Sequence, residues 1–466
     1  MVIKSRYAIA HRQCPVAVQV KKVMQEVNST HFFNLLTSAE LLETLEALLP
    51  EYRERHYPPT VALAMFLRQV LSADGSCRNT VNEAIVNRLL AGLPAMSANT
   101  GGYCRARARL PLEMIRTLTR STGASMTQLT PAPWLWRGRH VKLTDGTTTL
   151  MPDTQALQAC YPQHGRQEDG VGSPLARLVG VISLAHGAVL DVAMGPYQGK
   201  ETGEHGLFRT LLGCFVAGDV MLADAYYASY FLIAEFLSRG VDVVLEQHGA
   251  RETDFRRGEQ LGRRDHVVKW RNPAARPDWM TVEQYKGYPD ELTLREITVR
   301  EKVLVTSFID PQEVCRREIG HLFLKRWNVE LDLRNIKTTL GMEDLSCKTP
   351  QMCEKEMWAH MLAYNLIRLL MAQAAADAKL LPRQLSFKHT LQIWVAWSQR
   401  QFLTNAKEDI AALFKVIAQV RVGNRPGRVE PRAIKRRPKA FPRLQISRRK
   451  ARAHIRRYGR LKRGAA

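Results

Sequence analysis

Apolar residues in the first 125 positions recur at helical spacing. Residues 38–49 (SAELLETLEALL) and 59–72 (PTVALAMFLRQVLS) each carry an apolar stripe of 3.6-residue period, with Ser38 supplying an N-cap. Residues 1–125 are therefore expected to form a helical domain. Within it, residues 92–111 mix glycines with Arg105, Arg107 and Arg109 and read as a loop. An ordinary helical bundle and a reader of DNA ends fit this block equally well.

From Trp136 the period shortens. The runs RHVKLTDG, ARLVGVISL, AVLDVAM and DVMLAD are each bounded by Gly, Pro or Asp turn signals. A helix over residues 229–240 and a strand, VDVVLEQ, follow. This order predicts an α/β fold whose sheet has two early antiparallel pairs. Residues 250–312 are again strand-like, strongly charged and without a helix signal, so they read as a β insertion. Long helices are expected at residues 312–340 and 354–376, and a further one over 400–423. The predicted organisation is a second domain at 126–380 that includes the insertion, a C-terminal helical region at 381–424, and a basic tail at 425–466. That Pro- and Arg-rich tail is expected to be mobile when free.

Composition narrows the class. The chain has 466 residues, 45% hydrophobic and 8% aromatic, enough for a sizeable core. No run of about 18 uncharged apolar residues occurs, so no membrane span is expected. The opening MVIKSRYAIAHRQCP lacks a long apolar stretch ending in small residues, so export is not expected. Eight scattered cysteines without a CxxC pair argue against a zinc module or disulfide framework and fit a reducing cytoplasm.

The formal charge of +24 points to a polyanion, first of all nucleic acid. From Arg425 to Ala466 there are seventeen Lys and Arg against one acid, Glu430, so the tail alone carries +16 of this. Its runs KRRPK and SRRKARAHIRRYGRLKR can each meet several phosphates, with steep salt dependence and no sequence readout.

Three acids stand out. Asp145 closes the strand VKLTD ahead of Gly-Thr-Thr-Thr, and Asp224 closes VMLAD ahead of Ala-Tyr-Tyr. Two strand-end aspartates in one sheet can sit side by side, where a divalent cation removes their mutual repulsion. Glu330 lies in a predicted helix. At about 100° per residue, Phe323, Arg326, Arg334 and Lys337 share an arc of about 80° with it, while Leu322, Val329, Leu333, Ile336 and Leu340 form a separate apolar stripe. A solvated face of i,i+4 ion pairs is the simpler account of that arc. The surplus of cations around one acid, with an aromatic beside it, instead suits a metal ligand flanked by phosphate-holding arms.

At these residues the chain resembles DDE transposases of the insertion-sequence-four family. The phrases TDGTT, ADAYYASY and FLKRWNVELDLRNIK are similar to that family's three catalytic blocks. The family signature Tyr, two residues, Arg, three residues, Glu, six residues, Lys falls on Phe323, Arg326, Glu330 and Lys337, with Phe323 in place of the tyrosine. Ala225-Tyr226 stands where many relatives have Gly-Tyr. AYNLIR (residues 363–368) and QVLSADGSCR (residues 69–78) extend the resemblance over most of residues 57–368. It implies a ribonuclease H-like catalytic core interrupted by the β insertion. It also implies two Mg²⁺ ions (Mn²⁺ can substitute) at Asp145, Asp224 and Glu330, serving in-line attack on phosphodiesters by water and then by a DNA 3′-hydroxyl. Arg326, Lys337 and Phe323 would contact the DNA end. The expected activity is cut-and-paste transposition: cleavage at the terminal inverted repeats and strand transfer into double-stranded target DNA, by a homodimer on DNA in a bacterial cytoplasm, associated with the nucleoid. The alternatives are a non-catalytic DNA-binding protein or repressor derived from a transposase, and another nuclease on the same fold.

Other candidates have simpler explanations. Trp270 and Trp279 could stack on an unpaired base, but packing accounts for them. Glu201, Glu204 and His205 read as the acid-rich start of a helix, and the thirteen histidines show no ligand spacing.

Overall fold

The computed structural model describes residues 47–49, 57–199 (except 91 and 95), 202–398, 406–423 and 444–459. The expected helix over residues 38–49 lies almost wholly outside them. Four helices open the described chain: α1 (Pro59–Leu71), α2 (Cys77–Leu90), α3 (Gly101–Arg109) and α4 (Leu112–Gln128). The segment expected to be a loop thus contains α3. Its Arg107 is buried, donating to Gln69 Oε1 at 2.9 Å, so packing against α1 overrides the two glycines at its start.

A nine-stranded mixed sheet follows: β1 (Val141–Leu150), β2 (Leu175–Ser183), β3 (Val189–Pro196), β4 (Val220–Ala223), β5 (Asp242–Glu246), β6 (Glu259–Gly262), β7 (Asp265–Arg271), β8 (Glu291–Val299) and β9 (Lys302–Thr306). The spatial order is β3-β2-β1-β4-β5-β9-β8-β7-β6. β1, β4 and β5 run parallel, and β2 and β3 form the two expected antiparallel pairs on one side. Short helices α5 (Gln155–Cys160) and α6 (Glu204–Arg209) lie in the connections leading to β2 and β4, and α7 (Tyr230–Ser238) makes the crossover from β4 to β5. The β insertion extends the same sheet, because β9 pairs antiparallel with β5. It also holds a helix, α8 (Val282–Lys286), that the sequence pattern did not reveal. One turn closed by the Thr281–Gln284 capping box is too short to show a period.

Alternation along the central strands sorts side chains onto two faces. Val141, Leu143, Val220, Leu222 and Val244 join one core cluster, while Met221, Ala223, Val243 and Leu245 join the other. The first face is covered by α9 (Arg316–Leu324), α10 (Trp327–Arg334) and α11 (Pro350–Asp377), with α12 (Phe387–Ser398) and α13 (Ala406–Gln419) packed on α11. The second carries α6 and α7. α11 is buried nearly all round, as a central helix must be when apolar on every side. Helices α1 and α4 pack on it as well. Its Asn365 donates to Thr119 O and Val189 O and accepts from Val189 N, joining α4, β3 and α11 through one amide.

The single helix expected over residues 312–340 is three pieces. Lys325, Arg326, Asn328 and Val329 donate to carbonyls three residues back, tightening the chain between α9 and α10. After Arg334 a π-turn over Asn335–Thr339 widens it again, with Leu340 N bonded to Asn335 O. Part of the tail expected to be mobile is ordered, residues 444–459 with α14 (Arg448–Tyr458); residues 425–443 and 460–466 lie outside the described residues. Among the described residues no helix is long and apolar enough to cross a membrane.

Candidate active site

Asp145 does not end its strand: β1 continues to Leu150, because its pairing with β2 persists beyond the last residue paired with β4. The β1–β4 register matches Leu143 with Leu222, so Asp145 and Asp224 stand level just past that pairing. By the two-residue alternation both belong to the face of Leu143 and Leu222, the face that α10 covers. Asp224 Oδ1 accepts from Tyr226 N at 2.9 Å and so caps the turn Ala225–Tyr227. Asp145 Oδ1 accepts from Gly146 N at 2.8 Å.

Glu330, in the first turn of α10, is bonded by Arg326 at 2.7 Å. The backbone on the far side of α10 is tied to β1 as well, since Leu150 N donates to Glu343 O and Leu345 N to Leu150 O. The apolar stripe turned inward as expected, with Val329, Ile336 and Leu340 buried. Phe323 did not follow the angular count. It is 7% exposed, within the core, with the Lys302 ammonium 5.8 Å from its ring centre. The tightened turn at residues 325–329 advances faster than 100° per residue, which carries Phe323 off the Glu330 arc. Arg334 is exposed, and Lys337 is half-buried in the π-turn.

Burial pushes the Asp145 carboxyl up to about 6, and the negative charges of Asp224 and Glu204 add to this against the opposing pull of its Gly146 bond and of Arg326. Arg326 is therefore the cation felt by both Asp145 and Glu330. Glu204 comes in from α6: an added Cβ at Gly146 would lie 2.4 Å from its Cδ, so any larger residue after Asp145 would displace this carboxylate. Burial holds Glu204 above its ordinary range too. Sequence reading took Glu204 for a helix-start acid and missed Arg177. The guanidinium of Arg177 donates to Thr202 O at 3.0 Å and lies 4.6 Å over the Tyr197 ring. The signal available was the glycine on each side of the contact, Gly146 and Gly203. Glu201 lies outside the described residues. Glu204→Gln is expected to lower the Asp145 midpoint from about 6 by removing a like charge; the midpoint is read from the pH dependence of metal-free stability.

The donor chemistry fits a hard divalent cation. Half-buried carboxyl groups that repel one another, as Asp145 and Asp224 do, are what such an ion relieves. Among the described residues no three His, Cys, Asp or Glu side chains converge closely enough to hold one ion as they stand; Glu330 is engaged with Arg326 instead. On the insertion side, an open cavity of about 360 Å³ adjoins the Asp224 turn, lined by His205, Tyr226, His248, Arg251 and Trp270. Trp270 packs there rather than offering a free ring: it is 2% exposed, with Arg251 3.7 Å above it and its Nε1 donating to Glu296. Trp279, by contrast, stays 36% exposed, with Arg209 stacked over its ring at 3.9 Å.

Comparison with known proteins bears on this arrangement. The family model described as "Transposase DDE domain" matches residues 136–366, from just before β1 through the middle of α11. Transposase InsG for insertion sequence element IS4, from Escherichia coli (strain K12), is 28% identical over 377 residues, covering 77% of this chain and 82% of that protein. A cryo-EM structure of a piggyBac transposase synaptic complex with hairpin DNA aligns over 86% of each chain, at 8% identity and a TM-score of 0.42.

Proposed function

We propose, from the premise that this chain belongs to the DDE transposase family of the insertion-sequence-four type, that it cuts double-stranded DNA at the ends of its own element and joins them to a target. The core would be ribonuclease H-like, and the work would be cut-and-paste, done by a homodimer on DNA. Asp145, Asp224 and Glu330 would hold two divalent ions, Mg²⁺ or Mn²⁺. Once bound, such ions supply positive charge that makes a water or 3′-hydroxyl nucleophilic near neutral pH and offsets charge on the leaving oxygen.

The chain's own residues supply the rest. A hydrogen bond from the Tyr226 amide orients Asp224, and the level register of β1 and β4 brings Asp145 beside it. Arg326 would exchange Glu330 for a phosphate oxygen of the DNA end, where its planar fork can bond two oxygens at once. Lys337 would hold a neighbouring phosphate as a point charge. Phe323 would support that grip from the core beneath, rather than by touching DNA.

The observation that carries this reading is the level register of Asp145 with Asp224, on the sheet face covered by the helix bearing Glu330, with Arg326 at that helix's N-cap bonded to Glu330. The test is cleavage of element-end DNA with Mg²⁺. Asp145→Asn and Glu330→Gln are each expected to reduce it by roughly 10³-fold, the equivalent of several kcal/mol of metal-ion assistance, while DNA binding persists. Cleavage surviving in both variants would remove the triad assignment. Wild-type protein that binds the ends but neither cleaves them nor takes up Mn²⁺ would be a repressor-like binder. Cleavage without strand transfer would make it a nuclease.

A further inference from the structure

The basic tail supplies one docked element among the described residues, α14, which begins at Arg448 behind the N-cap Ser447. Its attachment centres on a single acid in the loop between α5 and β2. Glu168 Oε1 accepts from Lys450 Nζ at 2.8 Å, and its Oε2 accepts from Ser447 N at 3.1 Å. The backbone seals the same contact, with Glu168 N donating to Gln445 O and Gln167 Nε2 to Leu444 O. Ala451, one turn into the helix, is buried against the body.

With Lys450 committed to Glu168, the helix still carries Arg448, Arg449, Arg452, Arg456 and Arg457, all exposed. At about 100° per residue Arg448, Arg452, Arg456 and Arg449 fall within an arc of about 100°, centred about 110° round the helix from Ala451. The i,i+4 neighbours Arg448–Arg452 and Arg452–Arg456 are like-charged, which by itself destabilises a helix. Such a row is favourable only against a dense line of negative charge. Eleven residues of helix span about 16 Å, a length over which duplex DNA carries roughly ten phosphates.

The Glu168 loop that holds this helix is also linked by contacts towards the site. In the Glu168 loop, the His164 ring lies 5.4 Å from that of Tyr197. Arg177 sits over Tyr197 and bonds Thr202 O. Two residues on, Glu204 rests against Gly146 beside Asp145.

We propose that α14, latched to the body by Glu168, is a phosphate-binding rail for duplex DNA running to the Asp145–Asp224 site. This rests on the reading that the chain acts on DNA, and extends it by assigning the surface, the latch and the bound atoms. The rail reads no sequence, because arginines on phosphates carry none.

The test uses the full chain without metal, so that cleavage plays no part, and follows affinity for a random-sequence duplex against salt concentration. R452Q/R456Q is expected to make the log–log salt slope shallower by about two, and equally so for element-end DNA. R452K/R456K keeps the charges and is expected to keep the slope. E168Q is expected to speed amide hydrogen exchange across residues 448–458 in the free protein. An unchanged slope in R452Q/R456Q overturns the rail and leaves α14 to an acidic protein surface or to no partner. Unchanged exchange in E168Q overturns the latch. Neither result touches the cleavage assignment, which stands or falls on Asp145→Asn and Glu330→Gln.

Discussion

Asp332→Ala is expected to destabilise the protein by about 3–5 kcal/mol, the usual cost of removing one partner from a buried charge network. Asp332 sits on α10 two residues from Glu330 and is fully buried. Its Oδ1 accepts from Arg368 of α11, and Arg383 bonds both oxygens, at 3.2 and 2.9 Å. Arg383 also donates to the carbonyls of Ser183 and Leu184 at the end of β2. Arg368 further bonds the Tyr364 hydroxyl at 2.7 Å. One carboxylate therefore fastens the helix carrying Glu330 to α11 and to the sheet at once. Removing it leaves two guanidinium groups facing each other with no anion between them. Urea unfolding at neutral pH measures the loss, and a change below about 1 kcal/mol would mean that the network does not fix α10. Arg368→Met in the same background is expected to recover part of the loss by removing one stranded charge.

Asp145→Asn is expected to act in the opposite direction, stabilising the metal-free protein by about 2–3 kcal/mol above pH 6. In the folded state burial, with Asp224 and Glu204 nearby, raises the carboxyl from 3.8 to about 6. A raised acid binds its proton more tightly when folded. The contribution of this carboxyl to wild-type stability is therefore greatest below about pH 4, falls as pH rises to about 6, and is level beyond. Asparagine removes that dependence, so the variant's advantage should vanish below about pH 4. Mg²⁺ or Mn²⁺ should then stabilise the wild type more than the variant, because only the wild type gains an ion at the charge it pays to bury. Thermal melts over this pH range, with chelator and with metal, check both parts. A variant no more stable than wild type at pH 7 to 8 would show that Asp145 is not strained by its surroundings.

Most of the elements were legible because they are local. The alternating runs around VKLTD, LVGVIS and VMLAD became β1, β2 and β4, and the stripe Leu322, Val329, Ile336 and Leu340 turned into the core. Both patterns follow from which side of an extended or helical chain each residue occupies. The π-turn after Arg334 and the tightening at residues 325–329 were not legible, since departures from the ideal helix are imposed by what the helix packs on. That is why Phe323 left the arc assigned to it. The Glu204 contact was hidden for a different reason: Gly146 and Glu204 are 58 positions apart in sequence, and no periodicity relates them.

The sequence alone determined the chemistry available: three acids in order, two cations at signature spacing from the third, and a tail able to meet phosphates. Residue type and local spacing carry that much without a fold. Only the tertiary structure decided which charges meet. Strand register levels Asp145 with Asp224, Asp332 anchors α10 through two arginines, Arg326 serves two carboxylates, and Glu168 holds the basic helix to the body. Those are encounters between distant segments, and the packing of the sheet and its helices brings them about.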